Sequence, residues 1–329
     1  AMMYKNLVFY TSGSMPYALD AMPAEDLDHN GNVDDGIQDM RQANTGQDMV
    51  WTAPGDGLLS SPTVVTCQDP RDPSKTVEAV LVVSSRGMVY MFDAFPNNMG
   101  ILQGLTDGSN EIMSWDTAAT AKPCPPAYAN GWFYVVAGDD SNGGRLYAFN
   151  PALAAWKIDQ GLDRVPSTDP EYVAADWAIP SRTITSNTKV KTGPNLGFVT
   201  AANSGAVVGM IYWCVSAPDI SATGVQGEQN DHLYGVPVSV KNDRLKLRNA
   251  SRDRKITEYV TTFPDLRICQ KYPDPKVRIE ANVPGLTWTV HANSAYVNGT
   301  IVQRNGWFVV ETNQALPPDA IVYADYSVN

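Results

Sequence analysis

A chain of 329 residues, 43% hydrophobic and 18% charged, is large enough for one extended core or two ordinary domains and too apolar for disorder. Its formal net charge of −11 argues against a nucleic-acid partner, because a phosphate backbone calls for clustered Lys and Arg. The four cysteines, Cys67, Cys124, Cys214 and Cys269, lie far apart without a CxxC or a histidine pair, which argues against structural zinc and leaves disulfides and free thiols both open.

The N-terminus lacks the layout of a signal peptide, and Tyr4 to Tyr10 reads directly as a strand, so the chain reads as a mature product or a fragment. "LVFYTSGSMPYALDA", Leu7 to Ala21, is a β-hairpin: apolar positions alternate along two arms and Gly13 supplies the turn. After it comes an acidic insertion, 22–43, and then "NTGQDMVW", a polar turn feeding a strand that ends at Trp51. "LVVSSRGMVYMFDA", Leu81 to Ala94, repeats the hairpin, and "FYVVAGDDSNGGRLYAFNP", Phe133 to Pro151, repeats it again. Within the third copy "GDDSNGG", Gly138 to Gly144, reads as a long turn, with a second cation site as the alternative. The longest uncharged run, between Lys191 and Asp219, is broken by Pro194 and several glycines; it reads as two buried strands and a turn and not as a membrane helix. A weaker hairpin copy follows, with a long insertion expected between Cys214 and Leu233. Lys241 to Lys255, the most basic stretch, reads as a solvated connector. From Val277 to Val328 the alternation is continuous and the chain is β, either one more blade or a small β-sandwich, with the sandwich favoured.

A second element recurs between the hairpins. Trp51 is followed eleven residues later by Pro62, and Trp115 eleven residues later by Pro126, each pair leading into a hairpin. A sheet with two apolar faces cannot cover itself, so such units must stack, with Trp51 and Trp115 as packing residues between them. "NGWFYVV" from Asn130 and "NGWFVV" from Asn305 read as a further pair of equivalent strands. The order "YALDA…NTGQDMVW…SSPTVV…VLVVSSRGMVYMFDA" resembles the repeats of PQQ-like, quinoprotein-type β-propellers, over roughly Leu7 to Val240. The resemblance implies an all-β propeller of stacked four-stranded antiparallel blades, one per repeat, with the tryptophan docked between neighbours. The expected layout is a propeller region over 1–245 and a C-terminal β-rich domain or closing blade over 246–329.

The insertion carries the strongest local motif. In "EDLDHNGNVDDGIQD", Glu25 to Asp39, the residues Asp26, Asp28 and Asn30 take positions one, three and five of an EF-hand-type loop, with Gly31 at the turn. Asn32 offers its carbonyl at position seven and Asp34 an oxygen at position nine. Position twelve is Ile37 where a bidentate Glu is usual, and Asp35 or Asp39 is left to substitute. His29 faces outward, since calcium prefers oxygen. The expectation is a Ca²⁺ site built from Asp26, Asp28, Asn30, Asn32 and Asp34.

The quinoprotein resemblance raises a dehydrogenase with PQQ and calcium as one function, yet the chain has no adjacent cysteine pair, no P-loop, no GxSxG and no HExxH. A non-enzymatic role is therefore expected: an exported, calcium-binding propeller at the cell surface or outside it, acting in adhesion or as a structural or fibre component. It resembles surface adhesins, including pilus-tip proteins with a calcium loop in a propeller. A virion structural subunit is a further alternative. The expected partner is a protein or glycan surface, or a second copy, and neither nucleic acid nor inserted membrane. Asn249 in "NAS" and Asn298 in "NGT" are glycosylation acceptors if the source glycosylates.

Overall fold

The computed structural model describes residues 1–21, 49–96, 110–117, 122–129, 131–138, 145–151, 172–174, 177–180, 189–202, 205–220, 226–262 and 275–328. The chain divides into two compact units, 1–195 with 212–234, and 196–211 with 235–329. Its described elements are strands throughout, joined by turns.

In the first unit β1 (Met2–Tyr4), β2 (Leu7–Ser12), β3 (Met15–Asp20) and β4 (Met49–Thr52) form a four-stranded antiparallel sheet in chain order. Tyr4 to Tyr10 is thus two strands and not one. Lys5 adopts a φ of 50° in the turn between β1 and β2, so Tyr4 folds back opposite Leu7 and β1 completes the first blade. The second blade is β5 (Thr63–Asp69), β6 (Asp72–Val83), β7 (Met88–Asp93) and β8 (Glu111–Asp116), again antiparallel and in order. The third contains β9 (Ala127–Ala129), β10 (Trp132–Ala137) and β11 (Arg145–Phe149). From β11 the chain returns to the second blade, where β12 (Tyr172–Ala174) pairs parallel to β8. It then closes the third blade with β13 (Trp177–Pro180) against β11.

The blades stack because the middle one is apolar on both faces. Val80 and Val82 of β6, with Tyr90 and Phe92 of β7, pack on Leu7, Phe9, Ala18 and Trp51 of the first blade. The alternate residues, Ala79, Leu81, Val83, Val89 and Met91, pack on Phe133, Val135, Tyr147 and Phe149 of the third. Period-two alternation hands successive residues to opposite neighbours, which is why "AVLVV" and "MVYMF" are unbroken apolar runs. Burying each such side chain is worth about 1.5–3 kcal/mol. Sequential face-to-face stacking of four-stranded antiparallel sheets is the propeller-type architecture that the repeats predict, and the fold is all-β.

The second unit holds the ends of three long strands and six further ones. β14 (Lys189–Thr200), β15 (Val207–Ile220) and β16 (Gln226–Arg244) enter it from Leu196, up to Ile211 and from Gly235. They are followed by β17 (Lys246–Ala250), β18 (Ile256–Val260), β19 (Lys276–Glu280), β20 (Trp288–Val297), β21 (Thr300–Thr312) and β22 (Ile321–Ser327). Two sheets result, ordered β14-β15-β16-β22-β19 and β17-β18-β21-β20. Val240, Val322, Ala324 and Tyr326 of the first share one core with Tyr259, Phe308 and Val310 of the second. The stretch Lys241 to Lys255 is no connector, since it contributes the end of β16 and all of β17. Likewise, most of the expected insertion between Cys214 and Leu233 is strand: β15 runs on to Ile220 and β16 begins at Gln226.

Asp243 is fully buried in this unit, at the register irregularity that separates it from Val240 in the β16–β22 pairing. Tyr326 donates its hydroxyl to Asp243 Oδ2 at 2.7 Å, the Thr262 amide donates to the same oxygen at 2.8 Å, and the Thr262 hydroxyl donates to Oδ1. A bulge turns the side chain inward and three donors satisfy it there.

The β20–β21 hairpin turns at Asn298 and Gly299, φ 48° and 84°, the paired left-handed geometry that an Asn-Gly turn favours. Lower down the arm is bent. Asn293 (φ 49°) and Gly306 (φ 77°) sit at an irregularity, and Asn293 Oδ1 accepts the Gly306 amide at 3.2 Å. Beyond the bend the Tyr296 amide donates to Glu258 Oε2 at 3.0 Å, and the Tyr296 carbonyl accepts Asn249 Nδ2 at 3.2 Å. Two side chains thereby replace a neighbouring strand, and the arm is held over β17 and β18.

Candidate functional site

The acidic insertion springs from a defined stem in the first blade. β3 and β4 are antiparallel neighbours, with Leu19 opposite Met49 and Ala18 opposite Trp51. At the outgoing end the Ala21 amide donates to the Asn6 carbonyl at 2.8 Å. The strands that lead into and out of 22–48 therefore lie side by side in a sheet that packs on the first interblade core. Asp26, Asp28, Asn30, Asn32 and Asp34 all lie outside the described residues, as do residues 139–144 of the second candidate loop. Among the described residues, no group of three or more His, Cys, Asp and Glu is placed to hold a metal ion.

The stem is anchored by packing against the next blade. Trp51, fully buried on β4, meets Phe9 of its own blade at a ring-centroid distance of 6.1 Å and Phe92 of the next at 5.6 Å. Trp115 on β8 repeats this against the third blade, 5.9 Å from Phe133 and 5.7 Å from Phe149. Both are packing residues, with no ring face left for a ligand. At the edge of the first interface Glu78 joins the blades, accepting from the Tyr4 hydroxyl at 3.0 Å and from Lys5 Nζ at 2.6 Å. Lys5 also lies 5.0 Å from the Phe95 ring centroid. Its bond to Glu78 holds the Lys5 ammonium above the usual lysine range.

Three cysteines, Cys67, Cys124 and Cys214, are free thiols, and Cys269 lies outside the described residues. Burial pushes the Cys67 thiol up to about 12, assisted by the nearby Asp69. Burial also pushes the neighbouring Tyr128 phenol up to about 12. Thiols held protonated in this way are weak nucleophiles and weak metal ligands, so Cys67 is a core residue.

One constellation left no trace in the sequence. Trp307 of β21 is flanked by Arg304, its guanidinium carbon 3.9 Å from the ring centroid, and by Arg248 of β17 at 5.5 Å. These residues are brought together through β18, which pairs with both β17 and β21. Of the glycosylation candidates, Asn298 occupies the hairpin tip, whereas the Asn249 side-chain nitrogen is engaged with Tyr296.

No family model and no curated protein matches the chain. Among solved structures it is similar to the WD40 domain of SCAP from fission yeast, at 10% sequence identity over 97% of this chain and 82% of that one, with a TM-score of 0.23. At that TM-score the propeller-type assignment rests on the sheets and shared cores of this chain. Among the described residues no helix is long and apolar enough to cross a membrane.

Proposed function

We propose that the chain is an exported calcium-binding protein that acts at or outside the cell surface, in adhesion or as a structural component. The observation that carries this reading is the pairing of a ligand-rich connection with a rigid base. The alternating Asp26, Asp28, Asn30 and Asp34 with Gly31 supply oxygens at calcium-loop spacing, and the stem they depart from is clamped at Leu19 and Met49 beside a buried Trp51. A connection whose two ends are fixed side by side pays less ordering entropy on binding than a free segment. The acidic, lysine-poor composition and the absence of recognisable nucleophile or phosphate motifs favour binding over catalysis.

Limited proteolysis tests it. With calcium, the 22–48 connection resists cleavage; after chelation it is cut first while the blades stay folded. A quinone-like absorbance that survives dialysis, or dye-linked activity toward alcohols or sugars after addition of PQQ and calcium, would replace this reading with a dehydrogenase.

A further inference from the structure

Arg248 and Arg304 each leave their strand at an irregular point. Arg248 is the residue passed over in the β17–β18 register between Leu247 and Asn249, and Arg304 stands two residues before the left-handed Gly306. Bulges re-aim side chains, and here two of them aim guanidinium groups at one indole. Both arginines are exposed, and among the described residues neither has an ion-pair or hydrogen-bond partner. Lys246, also exposed, lies in the same row: it pairs with Val260, which pairs with Trp307. Like charges gathered with no counter-charge among the described residues repel, and an anion placed among them relieves that repulsion.

The surroundings distinguish between kinds of anion. Leu247 of β17, Val297 of β20 and Val302 of β21, in the same sheet, are 46%, 42% and 40% exposed. Arginine and tryptophan in a sheet that also exposes aliphatic side chains match a protein interface. Trp307 is only 8% exposed and already stacked by Arg304, so it offers little ring face to a sugar. The charge is also divided within the chain. The second unit has 12 Lys and Arg against 9 Asp and Glu, a net of +3, whereas the first has 12 against 26, a net of −14. We infer that the Arg248–Trp307–Arg304 surface docks the acidic first unit of a second copy of this chain. This deepens the structural-component side of the proposed function and rests on it. Because the two surfaces differ, the contact is heterologous and copies add in series.

Sedimentation velocity of the full chain across a concentration series tests this, at low salt and at about 1 M sodium chloride, where the Debye length is about 3 Å. The expected result is growth beyond the monomer at low salt that disappears at high salt. The double variant Arg248→Glu/Arg304→Glu weakens it about tenfold or more, with an unchanged thermal midpoint. Should that variant fold poorly, Arg304→Gln shows the smaller loss and Arg304→Lys restores most of it. A monomer at every concentration in low salt, or association indifferent to the arginines, overturns the inference. So does a monomer that binds heparin only while both arginines are intact, which would make this a site for an acidic polysaccharide. Runs with calcium and with chelator keep the two readings apart. A monomer that still binds calcium removes the docking alone, and association by a chain that binds no calcium removes the metal site alone.

Discussion

The indole N–H of Trp51 donates to the carbonyl of Ala94 at 3.3 Å, tying the last strand of the first blade to the end of the second blade's hairpin. The same ring lies between Phe9 and Phe92, so one residue supplies both apolar contact and a directional bond to the interface. Trp51→Ala is expected to lower stability by about 3–5 kcal/mol in denaturant unfolding, through loss of buried surface and the cavity left behind. Trp51→Phe, which keeps much of the ring and loses the bond, falls well short of that.

Much of the first unit was legible because its signals are local. Paired apolar runs mark β6, β7 and β10, and the offsets from Trp51 to Pro62 and from Trp115 to Pro126 mark where one blade hands over to the next. The closing strand of the third blade was missed. Trp177 takes the register position opposite Ala148 that Trp51 takes opposite Ala18, but no proline stands eleven residues after it, and the chain first detours through β12 to the preceding blade. The two "NGW" stretches look alike and fold differently. Gly131 lies in the turn between β9 and β10, whereas Gly306 lies inside β21 at a bend that depends on Asn293, thirteen residues earlier.

Asp243 makes a separate prediction for the second unit. Replacing it with alanine takes this acceptor from the buried Tyr326 hydroxyl and the part-buried Thr262 amide, at a cost of about 3 kcal/mol. Asp243→Asn, which retains an acceptor, costs less. Parallel unfolding of the two variants and the parent measures the difference.

Alkaline pH tests the buried thiol and phenol. Folded Cys67 and Tyr128 have values raised to about 12 from ordinary ones of 9.0 and 10.0. Between those limits the unfolded chain releases protons that the folded chain keeps. Their contribution is therefore complete below pH 9 and is lost as pH rises toward 12. The thermal midpoint should fall across that window, and Cys67→Ala should flatten the early part of the fall. In the native protein at pH 8, Cys67 should resist alkylation until denaturant is added.

The basic strand β17 was hidden because "KLRNA" exposes residues on both faces and so carries no apolar period. Arg248 and Arg304 are distant in sequence, and only the pairing of β18 with β17 and β21 brings them to Trp307. The calcium loop is the opposite case: its spacing is wholly local and reads directly from the chain, while its stem becomes apparent only when β3 and β4 are seen to pair.

Calcium titration should also separate the ligands from their neighbours. Asp26→Ala and Asp28→Ala are expected to abolish the rise of the thermal midpoint with free calcium, which follows mass action for a ligand that binds only the native state. His29→Ala, which removes no oxygen, should leave that rise intact.

Isothermal titration of metal-stripped protein with calcium is the most direct measurement. Saturable binding at one site per chain is expected, lost in Asp28→Ala and retained in His29→Ala. Absence of heat and of any midpoint shift at about millimolar calcium, the weak end of the range for extracellular calcium modules, would contradict it.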